Sequence, residues 1–378
     1  MAQGVKKNLT YERLGVLVSD FPAYKTAGST TGDMMRMQSA SFSFSHPALD
    51  VKSIGSSELI TRGGDSPVLR QPDISCDMSY IFTSGENEER VGLYVGQHGS
   101  ILKNLFAEAE TDDVNIIIVG SNLDTNAHKD VNLISDPAEF SGYDVIGIGN
   151  CFLTNYSYSA AVGGLPECSL SYNCSNIQFD TYIPGSEPTL PAVDLVNGAS
   201  FSSEIVKLDE NSFSEYAVET GVYGYIGGIM PGAILVTITK NAGDYGGVPI
   251  ESVHAAIQNM SIDVPIDRKD IYGFGSNYVF DRKARYPVIG SLAMDMIIRD
   301  FATGKTDSFF TQGTRYDVEI QNRKGYSDGS YTNICRFEIT NAQLKQQNFD
   351  FTIGDNASVS STFSFGISPS GGLKLIAG

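Results

Sequence analysis

The feature that most constrains the fold is an internal duplication. When the sequence is shifted by 220 residues, positions 14–70 lie over positions 234–290 without a gap, and nine of the paired positions are identical. The hydrophobic pattern repeats too, because the alternating apolar residues that begin at Leu14 fall on those that begin at Ile234. A repeat of this length indicates two modules of one architecture in tandem.

The match continues with small gaps beyond this block. The triplet that starts at Cys76 resembles the one at Met294, and the triplet at Leu153 resembles the one at Ile339. The interval between these triplets is longer in the first copy, which predicts an insertion of about thirty residues there. Proline-rich sequence between the copies predicts a linker. The expected domains are a first domain over 1–182 with its insertion around 86–145, a connecting segment over 183–231 and a second domain over 232–378.

Most segments of each copy alternate between apolar and polar residues, which is typical of strands with one buried face. The fold class is therefore mainly β. One α-helix is expected after Ser100, a suitable N-cap, because the apolar residues up to Glu110 share one helical face. The strands predicted in the first copy are 14–18, 37–45, 74–82, 115–119, 145–159 and 168–179.

The charge of the chain argues against a protein that holds nucleic acid. Its 44 acidic residues outnumber 26 basic ones and leave a formal net charge of −18. A nucleic-acid binder needs surplus Lys and Arg to neutralise phosphates. No run approaches the roughly 18–20 apolar residues of a membrane helix, and the N-terminus lacks the apolar region of a signal peptide. Five cysteines at no metal-ligand spacing indicate reduced thiols.

No motif in the sequence predicts an active site. The four histidines are scattered, and neither a nucleophile elbow nor a phosphate-binding loop occurs. The Gly-x-Gly pairs at Gly147 and Gly273 lack a third glycine, so turn or strand glycines are the better interpretation. The acidic residues from Glu108 to Asp113 fit a solvated helix end better than a cation site. We therefore expect a protein that is not an enzyme and that has no metal or other cofactor.

Three segments resemble the tail tube proteins of long-tailed bacteriophages. One is 256–296, and its pattern recurs in the first copy over 37–78. Another is 153–179, in which an alternating strand turns at Gly163-Gly164 and returns as a second alternating strand. The resemblance extends over roughly 14–180 and 234–368, and it consists of strand patterns and loop layouts.

The resemblance implies two tandem tail-tube-type β-sandwich domains, each with a flanking helix or loop. Inner sheets would join edge to edge into a continuous β-barrel lumen, in trimeric rings with pseudo-sixfold symmetry that stack into a tube. The implied role is a structural protein of the virion tail, assembled in the host cytoplasm, that passes double-stranded DNA without binding it specifically. The implied partners are further subunits of the same chain, a tape measure protein and a tail terminator, with no membrane involved.

Strand alternation then predicts which residues face the lumen, where an acidic wall would repel DNA phosphates. Asp77 and Asp295 recur at matching points of the two copies and fit a polar strand face better than a catalytic pair. The predicted lumen residues are Ser43, Asp77, Asp263 and Asp295. By the resemblance, the long loops 50–66 and 270–286 would reach a neighbouring ring. The predicted ring-stacking residues are Lys52, Ile54, Gly55, Ser56, Arg62, Tyr272, Phe274, Gly275, Ser276 and Arg282.

Three other interpretations stay open at this point. A neck, terminator or baseplate ring could be built from the same domain, and its low copy number in the virion would distinguish it from a tube. A carbohydrate-binding adhesin with tandem β-sandwiches would need exposed aromatic clusters and usually Trp, which this chain lacks. A polysaccharide depolymerase would need paired carboxylates in a supporting motif.

Overall fold

A computed structural model describes just over half of the chain, including most of the strand-rich parts of both copies. The described residues are 13–20, 33–35, 37–45, 48–49, 68–69, 73–106, 113–121, 143–181, 234–240, 250–251, 257–272, 279–297, 315–325, 331–351 and 356–378. The connecting segment predicted over 183–231 lies outside them.

The protein is mainly β, as predicted, and each copy contributes ten strands within the described residues. In the first copy these are β1 (Arg13–Asp20), β2 (Asp33–Met35), β3 (Ser39–Ser45), β4 (Ala48–Leu49), β5 (Val68–Leu69), β6 (Asp73–Ile81), β7 (Asp113–Ser121), β8 (Tyr143–Ala161), β9 (Glu167–Cys174) and β10 (Asn176–Thr181). In the second copy they are β11 (Ile234–Lys240), β12 (Ile250–Glu251), β13 (Ile257–Pro265), β14 (Arg268–Tyr272), β15 (Val279–Ala284), β16 (Val288–Ile297), β17 (Arg315–Gly325), β18 (Tyr331–Asp350), β19 (Ser358–Ile367) and β20 (Leu373–Ala377). The helical elements in the described part of the chain are α1 (Glu86–Arg90) and a 3-10 turn at Asn104–Phe106.

The two copies have the same antiparallel topology, strand for strand. In the first, the pairing order is β2-β1-β7-β8-β9-β6-β3, with β10 also on β8. In the second it is β12-β11-β17-β18-β19-β16-β13, with β20 also on β18. The small hairpins β4-β5 and β14-β15 correspond as well. This identity of order is what a tandem duplication produces.

Each copy folds as two layers over one apolar core. In the first copy, the outer layer consists of β1, β7, β10 and the first half of β8. The inner layer consists of β3, β6, β9 and the second half of β8. Val16 and Ile118 of the outer layer and Met78 and Leu170 of the inner layer belong to the same buried cluster. The apolar faces predicted from alternation therefore face each other.

The long strands β8 and β18 pass from one layer to the other at matching asparagines. Asn150 and Asn341 have positive φ angles of 47° and 59°, a left-handed conformation that asparagine tolerates better than most residues. The Asn150 backbone N–H donates to Asn115 Oδ1 at 3.1 Å, and the Asn341 N–H donates to Asp317 Oδ1 at 2.9 Å. Each bend is thus stabilised by a side chain of the neighbouring outer strand.

Strand register corrects two of the sequence matches between the copies. Ser41 pairs with Asp77, whereas the equivalent Ser261 pairs with Ala293, so Asp77 corresponds to Ala293. Asp295 pairs with Asn259, and its counterpart in the first copy is therefore Ser79. The shift is two residues, which keeps both aspartates on the same face because strand side chains alternate with period two. Likewise, the bends at Asn150 and Asn341 show that Leu153 does not correspond to Ile339.

The α-helix expected after Ser100 is absent over 100–106, where the chain forms turns and the single 3-10 turn. The backbone N–H groups of Ser100 and Ile101 donate instead to the carbonyls of Pro369 (3.1 Å) and Leu373 (2.8 Å) in the second copy. Bonds to a distant strand therefore outweigh the local helical pattern. The apolar residues do reach a core, since Ile101 and Leu102 are fully buried.

Candidate assembly edges and inner face

The inner layers of the two copies join into one sheet of eight strands. Its order is β3-β6-β9-β8-β13-β16-β19-β18, in which only the second halves of β8 and β18 take part. The junction is an antiparallel ladder between β8 and β13 that runs from Asn155 opposite Pro265 to Ala161 opposite Asn259. On its core side, Tyr158 faces Ile262 and both are fully buried. One copy thus completes the edge of the other.

A second set of contacts joins the copies through the segment that follows β6. Val95 forms a parallel bridge with Leu375 of β20, and the Gly96 N–H donates to the Leu375 carbonyl at 2.8 Å. In the shared core, the Tyr158 ring lies 4.7 Å from the Phe337 ring, between centroids, and its hydroxyl donates to Asn322 Oδ1 at 2.8 Å. The first copy therefore covers both the inner edge and the outer strand β20 of the second.

The first copy has the same two surfaces, and within the described residues nothing covers them. Among the strands that the structure describes, β3 pairs only with β6, and β10 pairs only with β8. Phe44 on β3 is 54% exposed, whereas its counterpart Val264 is fully buried. Phe179 on β10 is 60% exposed, whereas its counterpart Leu375 is also fully buried. Exposed aromatics thus occupy the positions that are buried in the second copy, where the first copy covers β13 and β20.

The opposite end of the sheet is open as well. From Leu344 to Asp350, the second half of β18 pairs with β19 on one side and with no described strand on the other. Phe351, at the end of this edge, is 61% exposed, and its ring stacks on Phe349 at 6.3 Å between centroids. Both polar atoms of the Gln347 side chain are buried without a hydrogen-bond partner in the described part of the chain. Among the described strands, the sheet therefore ends in two edges that no further strand pairs with, a β3 edge and a β18 edge.

The face of this sheet that points away from the core is polar. The burial patterns of β6, β9 and β16 alternate, and the paired register carries the same face across the neighbouring strands. Short side-chain hydrogen bonds link the strands along it, such as Ser39 Oγ to Ser79 Oγ at 2.6 Å. Across the junction, Asn155 Nδ2 donates to Asp263 Oδ1 at 3.0 Å. We call this surface the inner face. Its residues include Ser41, Ser43, Ser75, Ser79, Ser157, Ser159, Ser169, Ser171, Asn259, Ser261, Ser291, Ser360, Thr362, Ser364 and Asn348.

All of the charge at the alternating positions of the inner face is negative. Its six carboxylates are Asp73, Asp77, Glu167, Asp263, Asp295 and Asp350. No Lys or Arg occupies these positions in the described strands; Lys345 lies at the bulge of β18, outside the alternation. The predicted residues Ser43, Asp77, Asp263 and Asp295 all lie on this face, and their position in a lumen stays a prediction.

Two of the ring-stacking candidates lie within the described residues. The Tyr272 backbone pairs with Val279 in the β14-β15 hairpin. Arg282 is 5% exposed; its Nε donates to Asp270 Oδ1 at 3.0 Å and its Nη1 to Ser175 Oγ at 3.1 Å. The guanidinium thus anchors the hairpin on the first copy, and contact of this hairpin with another ring stays a prediction. Outside the described residues lie Lys52, Ile54, Gly55, Ser56, Arg62, Phe274, Gly275 and Ser276.

A buried polar cluster, which sequence reasoning missed, lies under the inner sheet where α1 packs. The Tyr80 hydroxyl donates to Glu88 Oε1 at 2.6 Å, and Tyr156 Oη lies 3.6 Å from Cys168 Sγ. Burial raises the pKa of Glu88 above its ordinary value of 4.5, and the hydrogen bond from Tyr80 opposes the shift. Burial also raises the pKa of the Cys168 thiol. All five cysteines are buried and free, which makes them poor nucleophiles.

The part of the chain that the structure describes holds no group of three or more His, Cys, Asp or Glu residues that could bind a metal ion. Among the same residues, no helix has the length and apolar character that crossing a bilayer requires.

No protein-family model matches the sequence, and a search of curated proteins finds no relative. Solved structures with similarity include the sheath–tube complex of an extracellular contractile injection system, PVC, in its extended state (12% identity, TM-score 0.27). Another is the tube-terminating cap of the anti-feeding prophage (13% identity, TM-score 0.29). A third is the secreted protein Hcp3 from Pseudomonas aeruginosa (13% identity, TM-score 0.19). These alignments cover 97%, 97% and 98% of the other chains but 44%, 43% and 38% of this one. Each of these similarities spans less than half of this chain.

Proposed function

We propose that the chain is the building block of a tail tube, which assembles into stacked rings around a channel that conducts double-stranded DNA. The observation that carries this proposal is the pair of edges at the two ends of one eight-stranded sheet, neither of which any other described strand pairs with. The β8–β13 junction already joins equivalents of these edges within the chain. Further subunits can repeat that junction, and closure into a ring leaves no edge unpaired.

The repeat of one junction also favours closed rings over open chains of subunits. Because the two ends of the sheet differ, contact between subunits is head to tail, and such contacts close when the rotation per subunit divides a full turn. Three subunits would contribute twenty-four strands. At about 4.8 Å between strands and a tilt of about 40°, these enclose a barrel roughly 48 Å across between backbones. Such a bore admits double-stranded DNA.

The chemistry of the inner face suits a channel through which DNA slides. DNA carries about one negative charge per 1.7 Å of its axis, and Lys or Arg side chains would hold it by releasing counterions. The inner face instead presents serine hydroxyls and carboxylates such as Asp77 and Asp295. Their negative potential repels phosphates, so the polymer stays mobile. On this proposal the protein is structural and has no catalytic role.

Imaging and mass measurement of the purified chain test the proposal. We expect hollow rings or cylinders in negative stain, and a ring mass about three times the 40.8 kDa of one chain. Solitary particles without a bore, at every concentration examined, would contradict it. Counting the protein per virion separates a tube from a neck, terminator or baseplate ring, because a tube subunit is present in many rings and those proteins in one or a few.

A further inference from the structure

We infer that the β18 edge of one subunit pairs antiparallel with β3 of a second subunit in a single register, with Ser43 opposite Asn348. This inference rests on the proposed self-assembly and specifies its interface. The occupant of the β3 edge is a second molecule of this chain, because the equivalent edge in the second copy, β13, is already filled by the matching half of β8.

The register follows from structural equivalence between the copies. Asp263 of β13 pairs with Ser157 of β8 across the junction. Ser43 is the counterpart of Asp263, since it pairs with Ser75 as Asp263 pairs with Ser291. The counterpart of Ser157 is Asn348, because the two residues follow the matching bends at Asn150 and Asn341 by the same number of residues. Transferring the pair Asp263–Ser157 therefore gives Ser43–Asn348.

The side chains on both faces agree with this register. On the core side Phe42 comes to lie opposite Phe349, where the junction pairs Ile262 with Tyr158. The two aromatic rings then meet, and the exposed Phe44, which comes to lie opposite Gln347, is covered as its counterpart Val264 is. On the inner face, hydroxyl and amide groups meet, and no two carboxylates come to lie directly opposite each other. A shift by one residue would place aromatic side chains of one strand opposite polar residues of the other face.

The hydrogen-bond phase of the junction makes the predicted pair suitable for a disulfide. The Val162 N–H donates to the Gln258 carbonyl and the Ile266 N–H to the Thr154 carbonyl, both at 2.8 Å. Even-numbered residues of β13 are therefore in hydrogen-bonded pairs, and Asp263 is in a non-hydrogen-bonded pair with Cα atoms about 4.5 Å apart. The equivalent pair Ser43–Asn348 inherits this spacing, which lies within the range for disulfides, about 4.4–6.8 Å.

Cysteine cross-linking tests the register. The double variant Ser43→Cys, Asn348→Cys is assembled, oxidised under mild conditions and run on a non-reducing gel. We expect covalent oligomers that end at the closed ring of three chains. The matched control is Ser43→Cys with Gln346→Cys, which lies on the same face but two residues out of register, and we expect at least tenfold less cross-linking. The five native thiols are buried and do not compete.

Each other outcome overturns a different claim. If rings form but the Gln346→Cys control links better than the Asn348→Cys variant, the register is wrong and self-assembly stands. If Ser43→Cys alone links into dimers, β3 pairs with β3 and the head-to-tail contact fails. If no variant links and sedimentation shows only monomers, the proposed function fails together with this interface.

Discussion

Replacing Phe44 by alanine should weaken self-assembly much more than a comparable change on an interior strand of the sheet. Phe44 is 54% exposed in the single chain, whereas its counterpart Val264 is fully buried by the junction. A phenylalanine buries about 200 Å² when fully covered, so a second subunit removes roughly 100 Å² of apolar surface from water at this residue. At about 25 cal/mol per Å², the contribution is about 2.5 kcal/mol per interface, of which alanine loses about 2 kcal/mol.

A loss of about 2 kcal/mol raises the dissociation constant of each interface roughly 30-fold, since about 1.4 kcal/mol is tenfold. Sedimentation velocity over a concentration series measures this shift. The control is Ile289→Ala, which also removes a side chain that is 54% exposed, but from the interior strand β16 rather than from an open edge. We expect the control to assemble like the unmodified chain. Equal weakening by both variants, or none by Phe44→Ala, would show that this edge is not an interface.

Three further predictions concern the contact between the two copies, the buried carboxyl group of Glu88 and the inner face. Tyr158→Phe removes the hydrogen bond to the buried Asn322 between the two copies. It should lower the free energy of unfolding, measured in denaturant, by about 1–3 kcal/mol. An unchanged free energy would mean that this hydrogen bond does not stabilise the contact between the copies. Because burial raises the pKa of Glu88 above 4.5, the stability that its neutral form provides is present below pH 4.5 and is lost as the pH rises through the raised value. Glu88→Gln should therefore be more stable than the unmodified chain at neutral pH but not below pH 4.5, and parallel pH profiles of unfolding would contradict this. Finally, Asp77→Lys with Asp295→Lys should leave ring formation intact but slow DNA release from virions, more so at low salt, whereas the matched Asp→Asn pair should have a small effect; equal release rates in all three would refute an electrostatic role.

The faces of the strands could be predicted from the sequence because side-chain alternation is a local property. Of the first copy's predicted strands, 74–82 and 145–159 are confirmed as β6 and β8 to within about two residues. The apolar residues Ile74, Cys76 and Met78 are buried as their spacing requires. The shift of 220 residues likewise matches β1 with β11 and β3 with β13, because the strand orders of the two copies correspond. For the inner face, this was enough to identify four of its polar residues.

Long-range register could not be predicted in the same way. Matching Asp77 with Asp295 was wrong by two residues, since an even shift preserves the alternation and leaves no trace in a hydrophobic pattern. The helix expected after Ser100 was wrong because the N–H groups there bond to the second copy, a partner far away in sequence.

Taken alone, the order of amino acids determined that this chain repeats a β module and that each module has one apolar and one polar face, because both properties depend on residues close together in the chain. Tertiary structure decided that β8 fills the edge of β13, that Phe44 and Phe179 are left exposed, and that the carboxylates share one surface. Those outcomes depend on backbone hydrogen bonds between strands that are distant in sequence, and nothing in a local pattern specifies which edge meets which.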